Sequence, residues 1–523
     1  MPVGPYRLPR RVGALVAMLG LLVLPACTVG PSDRPPVAVR DAGLPPQRPP
    51  EQPPTSRPPP PRGDFDASSL PWQDCTATTA AQLGTPPPAR VDCAQLQVDA
   101  DASTSSFGDT LALDLTRIGS GPAPLVVVSE ADGEPGTVRA ARLAGQLPRE
   151  VLDNYTLIGL ARRGTGVGQP LDCIPTSTRN QIVGVDPDVP TPAQLDTLLD
   201  VTRTAIQTCV QDLGEVLTSI NSTGTADDLE ALRVTLRAPV LNVISLGSAS
   251  RAVVDFARRY PTSVGRIMLD GAADPTLDGV TEAEADLKAT EAGYTAFAAD
   301  CLARNCPLAP DPRAALRAAV DALHRTPAQV GGQVVTAGTA YQAVLETIGT
   351  PERWGELAAA LAAARRGDDA GLAALVAPVL TPARGLPARF DPALATHCND
   401  TSTRVPPERA KRLVAQWRAR SPLFGPMFAQ RLLLCSSWPV PSAPPTDPPD
   451  RGLPPVLVVA TSGDPVTPPE GAQRTADSLP SATLATWQGR GHGALARSSC
   501  VDGVATRFLV DGIVPPRDTL CPP

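Results

Sequence analysis

Short runs of unbroken apolar residues alternate along this chain with longer stretches in which apolar positions recur every three or four residues. Leu125–Val128, directly after Pro124, reads as a strand buried on both faces. Tyr155–Ala161, Val240–Ile244, Val264–Leu269 and Pro455–Ala460 read the same way. Behind the third run, Ala252, Val253, Phe256, Ala257 and Tyr260 fall at helical spacing, and Pro261 stops the helix. Buried strands alternating with helices predict an α/β fold with a mainly parallel sheet covered on both faces, beginning at about residue 105. Between about 276 and 450 the pattern changes to Ala-rich helices, at 283–304, 312–324, 355–366 and 407–420, with no strand among them. The chain therefore divides into a core over 73–275, a helical cap inserted over 276–450, and a second core portion over 451–523.

The first 72 residues fit neither pattern. Arg7, Arg10 and Arg11 precede an apolar run from Val12 to Pro25, the layout of a signal peptide over 1–26. Leu24-Pro25-Ala26-Cys27 has the form of a lipobox, so Cys27 is a candidate lipidation site; an ordinary secretion signal with an incidental Cys is the alternative. Residues 27–72 are rich in Pro, which removes backbone donors and favours an extended spacer. Ten further cysteines remain, at 75, 93, 173, 209, 301, 306, 398, 435, 500 and 521, an even set that reads as disulfides in an exported protein. Zinc at Cys301 and Cys306 would need about four ligands, and His324 is the only histidine nearby. The net charge of −7 argues against nucleic acid as a partner. No metal or other cofactor is expected.

Three short segments carry candidate chemistry. Val243-Ile-Ser-Leu-Gly247 lies at a strand-to-helix junction and holds part of a Gly-x-Ser-x-Gly nucleophile elbow, with Ser245 as the nucleophile and Val243 in place of the first Gly. A serine nucleophile needs a base whose pKa lies near working pH. Of the three histidines, His492 sits in the Gly-flanked segment Gly489-Arg-Gly-His-Gly493, whereas His324 lies in a helical pattern and His397 beside Cys398. Asp464, in Gly463-Asp-Pro-Val-Thr-Pro468, follows a strand and can orient the imidazole; Asp270 and Asp274 are rival acids. The order Ser, Asp, His is that of the α/β-hydrolases.

Arg163-Gly-Thr-Gly166, Pro170-Leu-Asp-Cys173, Ser245-Leu-Gly247, Arg266-Ile-Met-Leu-Asp-Gly271, Asp274-Pro275, Cys435, Trp438-Pro439, Asp464-Pro-Val-Thr-Pro-Pro469 and Gly491-His-Gly493 together carry a likeness. From about Trp72 onward the chain resembles the actinobacterial tripeptidyl-aminopeptidase-like and proline-iminopeptidase-like α/β-hydrolases. The resemblance implies an α/β-hydrolase fold with a helical cap, and an exported peptidase or esterase working through an acyl-enzyme on Ser245, His492 and Asp464. Its expected partners are a short peptide or small ester and, through the N-terminal lipid, a membrane; a monomer is expected. It also favours pairing the cysteines in chain order, 75–93, 173–209, 301–306, 398–435 and 500–521.

Two departures from that family bear on activity. The loop after Leu125–Val128 is usually Gly-rich and gives an oxyanion-hole amide; here Glu130, Asp132 and Glu134 place negative charge where an oxyanion would develop. Leu246 and the Glu130 region are the expected oxyanion donors. Val243 and Ala161 stand where the family carries Gly and Asp. A weakened or inactive relative that binds a peptide or glycan in the cap cleft is thus the alternative function. Glu282, Glu284, Asp286, Glu346 and Glu352 are the acidic residues of the cap that could meet a substrate amino terminus.

Overall fold

In a computed structural model of the chain, the described residues are 63, 65–66, 68–100, 110–187, 192–439 and 452–523. The signal peptide, Cys27 and nearly all of the Pro-rich spacer lie outside them. Ten strands form one sheet: β1 (Gln73–Asp74), β2 (Val91–Asp99), β3 (Thr110–Ile118), β4 (Ala123–Val128), β5 (Tyr155–Leu160), β6 (Leu241–Leu246), β7 (Val264–Asp270), β10 (Val456–Gly463), β11 (Ala482–Arg490) and β12 (Thr519–Cys521). The remaining two, β8 (Ala328–Val330) and β9 (Gln333–Val335), pair with each other apart from that sheet.

The sheet order is β1-β2-β3-β5-β4-β6-β7-β10-β11-β12. Strands β5 through β12 in that order run parallel, and the β1-β2-β3 edge is antiparallel to its neighbours. All five apolar runs are strands of the parallel part. β4 and β5 are buried at every residue, as strands covered on both faces must be. The sheet starts earlier than the pattern indicated: β2 and β3 alternate buried with more exposed residues, because an antiparallel edge packs mainly on one face.

The cap is helical, with the β8–β9 hairpin as an exception to the expectation of no strand. Its apolar interior draws on two stretches rather than one. Leu195, Leu198, Ile206 and Leu217 join Phe297, Tyr341, Trp354 and Trp417 in a single buried cluster. The helices between β5 and β6, at Thr176–Val183, Pro192–Leu213 and Val216–Ser219, thus belong with the inserted helices. Arg179, 1 % exposed, fastens the two stretches together: its Nε donates to Asp391 Oδ1 at 2.6 Å, while Asp391 accepts from the amides of Cys173 and Ile174 at 2.9 and 2.8 Å. The disulfides follow chain order: Cys75–Cys93, Cys173–Cys209, Cys301–Cys306, Cys398–Cys435 and Cys500–Cys521.

Candidate active site

The site forms where parallel strands end and loops must turn back. After β10, Asp464 is held by the amides of Val466 and Thr467, which donate to Oδ1 at 2.9 and 3.0 Å, and by the Thr467 hydroxyl, which donates to Oδ2 at 3.0 Å. After β11 the chain passes through Gly491 and Gly493, with φ of +97° and +76°, values that favour glycine. His492 between them turns Nδ1 to within 3.0 Å of Asp464 Oδ2. The structure therefore brings Asp464 and His492 together. The rival Asp270 accepts instead from the amides of Ala494 and Leu495, steadying the loop that bears His492. Asp274 is engaged by Arg474 and Thr276.

Ser245 is not brought to them. It lies inside β6, in register with Val128 of β4 and Leu269 of β7, and is fully buried. Its Oγ has no hydrogen-bond partner. The sharp turn comes two residues later. β6 ends at Leu246, Gly247 takes φ +56°, and a 3₁₀ turn over Gly247–Ala249 leads into the helix Ser250–Arg259. Leu246 also misses its expected part, since it is in β-register with Asp270 inside the sheet. The amide that leaves the turn is that of Ser248.

Glu130 fills the space in front of that turn. Its Oε1 accepts from the Ser248 amide at 3.0 Å, and its Oε2 lies 3.2 Å from His492 Nε2, an ion-pair distance. A Cβ placed on Gly247 would lie 1.8 Å from Glu130 Oε1. Glu130 is thus present at the site, through its carboxylate rather than as the expected backbone donor. Burial by itself would push the His492 pKa down, but the charges of Asp464 and Glu130 outweigh it and hold the imidazole well above its ordinary 6.5. Burial likewise opposes the Glu130 charge, yet the imidazolium and the Ser248 amide keep that carboxyl below its ordinary value. The arrangement is carboxylate, imidazolium, carboxylate.

A cleft of about 320 Å³ opens between core and cap, with Glu130 and Ser248 in its lining and His492 behind Glu130. Of the acidic cap residues weighed from the sequence, Glu282, Asp286 and Glu346 line it. Glu284 and Glu352 pair elsewhere, with Arg420 and Arg497. Glu282 is bonded by Arg251 and Glu346 by Arg389. Asp286 has no hydrogen-bond or ion-pair partner among the described residues, and burial, with Glu282 nearby, raises its pKa well above the usual carboxylate range. A second hollow of about 450 Å³, lined by Glu291, Arg313 and Arg420 among others, contains none of these groups. Among the described residues no cluster of His, Cys, Asp and Glu is suited to a metal ion.

Residues 421–521, which carry both Asp464 and His492, match the family model described as "TAP-like protein". Over that segment the chain is similar to TAP-like proteins. It is 26 % identical over 462 residues to the serine protease Hip1 of Mycobacterium tuberculosis, covering 82 % of this chain and 87 % of the relative. It is 26 % identical over 416 residues to carboxylesterase B of the same organism, covering 75 % and 79 %. Tripeptidyl aminopeptidase of Streptomyces lividans is 24 % identical over 493 residues, covering 87 % of each chain. The names of these relatives support the serine hydrolase expected from the sequence, at the level of enzyme class. Gly247, read from the sequence as the second glycine of the elbow, is the turn itself, and Ser248, whose amide meets Glu130, was not singled out. The signal for the turn was available: a strand-to-helix turn needs a residue tolerant of positive φ, and Gly247 is the glycine at that junction.

Proposed function

We propose that this hydrolase takes a short peptide or a small acyl ester into the cleft beneath its cap, above the Asp464–His492 pair. The observation that carries the reading is that pair, bonded at 3.0 Å behind a cleft of about 320 Å³. A cleft of that size, set between an inserted cap and the ends of parallel strands, suits a small ligand better than a folded protein. Relatives named for a protease, an aminopeptidase and a carboxylesterase support the choice of ligand class. Asp286 supports a peptide with a free amino terminus. A half-buried carboxyl with a raised pKa, and with no hydrogen-bond or ion-pair partner among the described residues, gains from an arriving ammonium group, which compensates its desolvation. Calorimetry with a tripeptide amide and its N-acetyl form tests this. The free amine should bind at least about tenfold more tightly, a difference of about 1.4 kcal/mol, and Asp286→Asn should erase the preference. Equal binding of both forms by the native protein would remove the peptide reading and leave the ester.

The proposal extends to an exported protein anchored through a lipid on Cys27. Five disulfides among the described residues favour an oxidising compartment. Among the described residues no helix is long and apolar enough to cross a membrane. Native protein should sediment with membranes and Cys27→Ser should shift it to the soluble fraction; unchanged sedimentation of the variant would exclude the lipid anchor.

A further inference from the structure

We infer that Gly247 occupies the nucleophile position of this hydrolase, and that the Glu130 carboxylate stands where a serine hydroxyl would, so that a ligand is held without acyl transfer. The inference rests on the ligand site proposed above and concerns what happens to the ligand there.

Four observations place the nucleophile position at residue 247. In an α/β-hydrolase the nucleophile sits on the sharp turn between a sheet strand and the next helix, and the amide of the following residue faces the oxyanion. Gly247 is that turn, at φ +56°, between β6 and the 3₁₀ turn that leads into Ser250–Arg259. The next amide, that of Ser248, points at the cleft and is already bonded at 3.0 Å. The side-chain direction of residue 247 leads straight to the group on His492: a Cβ there would fall 1.8 Å from Glu130 Oε1. Ser245, two residues earlier, sits fully buried in the sheet with its hydroxyl unbonded.

Glu130 answers both halves of the vacancy. Serine chemistry asks for a hydroxyl against His492 Nε2 and a free amide for the oxyanion. One Glu130 oxygen lies 3.2 Å from Nε2 and the other occupies the Ser248 amide. The carboxylate has no proton for the imidazole to remove. The imidazole, held between Asp464 and Glu130, has no free lone pair to receive one while it is protonated. Glycine at 247 and glutamate at 130 are mutually required: the carboxylate fits because no side chain projects from the turn.

The test uses the full chain and a fluorophosphonate probe with mapping of labelled peptides. Native protein should show no labelled serine. The double variant Gly247→Ser/Glu130→Gly should label at residue 247 and should hydrolyse p-nitrophenyl acetate at least about 100-fold faster than native protein, the lower range of what a positioned base contributes. Labelling of native protein at Ser245 or Ser248 would overturn the inference, as would a folded double variant that neither labels nor hydrolyses. A measurement that needs no new serine accompanies these. Proton NMR should show that Glu130→Gln lowers the titration midpoint of His492, which is one of only three histidines; an unchanged midpoint would show that Glu130 does not engage the base. Peptide binding by native protein fails or succeeds independently of these results, so the ligand proposal and this one are judged separately.

Discussion

The two arms of the site differ in how they are made. The acid–base arm is over-determined. Asp464 accepts from three amides, a hydroxyl and the imidazole, and Asp270 holds the loop behind His492 by two further amides. The elbow arm keeps only its backbone: strand, positive-φ turn and helix are present, but the side chain that would perform chemistry is absent from the turn. The difference teaches that a hydrolase site is two separable constructions. The loops that orient a base also stabilise the fold through buried hydrogen bonds, whereas a nucleophile hydroxyl contributes nothing to folding and can be exchanged for a neighbouring carboxylate.

The sharpest way to break this comparison is to damage the stronger arm after mending the weaker. In the Gly247→Ser/Glu130→Gly protein, Asp464→Asn should lower ester turnover by about 10⁴-fold, because the amide favours the wrong imidazole tautomer. Asp270→Asn in the same background should spare turnover per folded molecule; equal loss from both substitutions would reassign the acid. Denaturant unfolding should nevertheless find Asp270→Asn less stable by about 1–3 kcal/mol, since it leaves a buried amide without its acceptor.

The ion-paired imidazole sharpens the comparison through pH. The His492 pKa is raised on folding, so its contribution is complete below about 6.5 and is lost as pH rises through the folded value. The Glu130 pKa is lowered, so its contribution is complete above about 4.5 and is lost as pH falls through the folded value. Unfolding free energy measured by urea should therefore decline on the alkaline side, and the decline should be shallower in Glu130→Gln. Parallel profiles for the two proteins would mean that the pair does not contribute to stability. The smallest effect is expected at Ser245. Removing a buried hydroxyl that bonds to nothing should leave stability within about 0.5 kcal/mol for Ser245→Ala and leave ligand binding unaltered, as calorimetry can check.

Five strands, the helix after β6 and the four cap helices were legible because their apolar spacing is strong and the parallel strands are buried on both faces. β2 and β3 were missed because their Gln and Asp residues break the apolar runs, and a one-sided edge strand shows only alternation. The first helical stretch of the cap, Pro192–Leu213, was missed as part of it because residence in a layer is a tertiary fact: Leu195 and Trp417 share a cluster across more than two hundred positions. At the site, Asp464 and His492 were indicated by their loops. On the inference that residue 247 holds the nucleophile position, the serine reading falls two residues short, because Ser-x-Gly was taken as a motif before asking where the strand stops. The apolar run continues through Leu246, and strand alternation puts Ser245 on the same face as Val243 rather than at the turn. That acidic residues oppose the oxyanion was legible in the 130–134 loop; that one of them would reach the base was not.

The peptide unit of His492 is moored to the cap at both ends. Its amide donates to Gly349 O at 2.7 Å, where the helix Ala337–Ile348 stops, and its carbonyl accepts from Arg497, whose other nitrogen reaches Glu352 at 3.2 Å. The backbone that carries the imidazole is thus tied to the cap, while the ring itself is tied to the core through Asp464, so the position of His492 is set from both sides of the cleft.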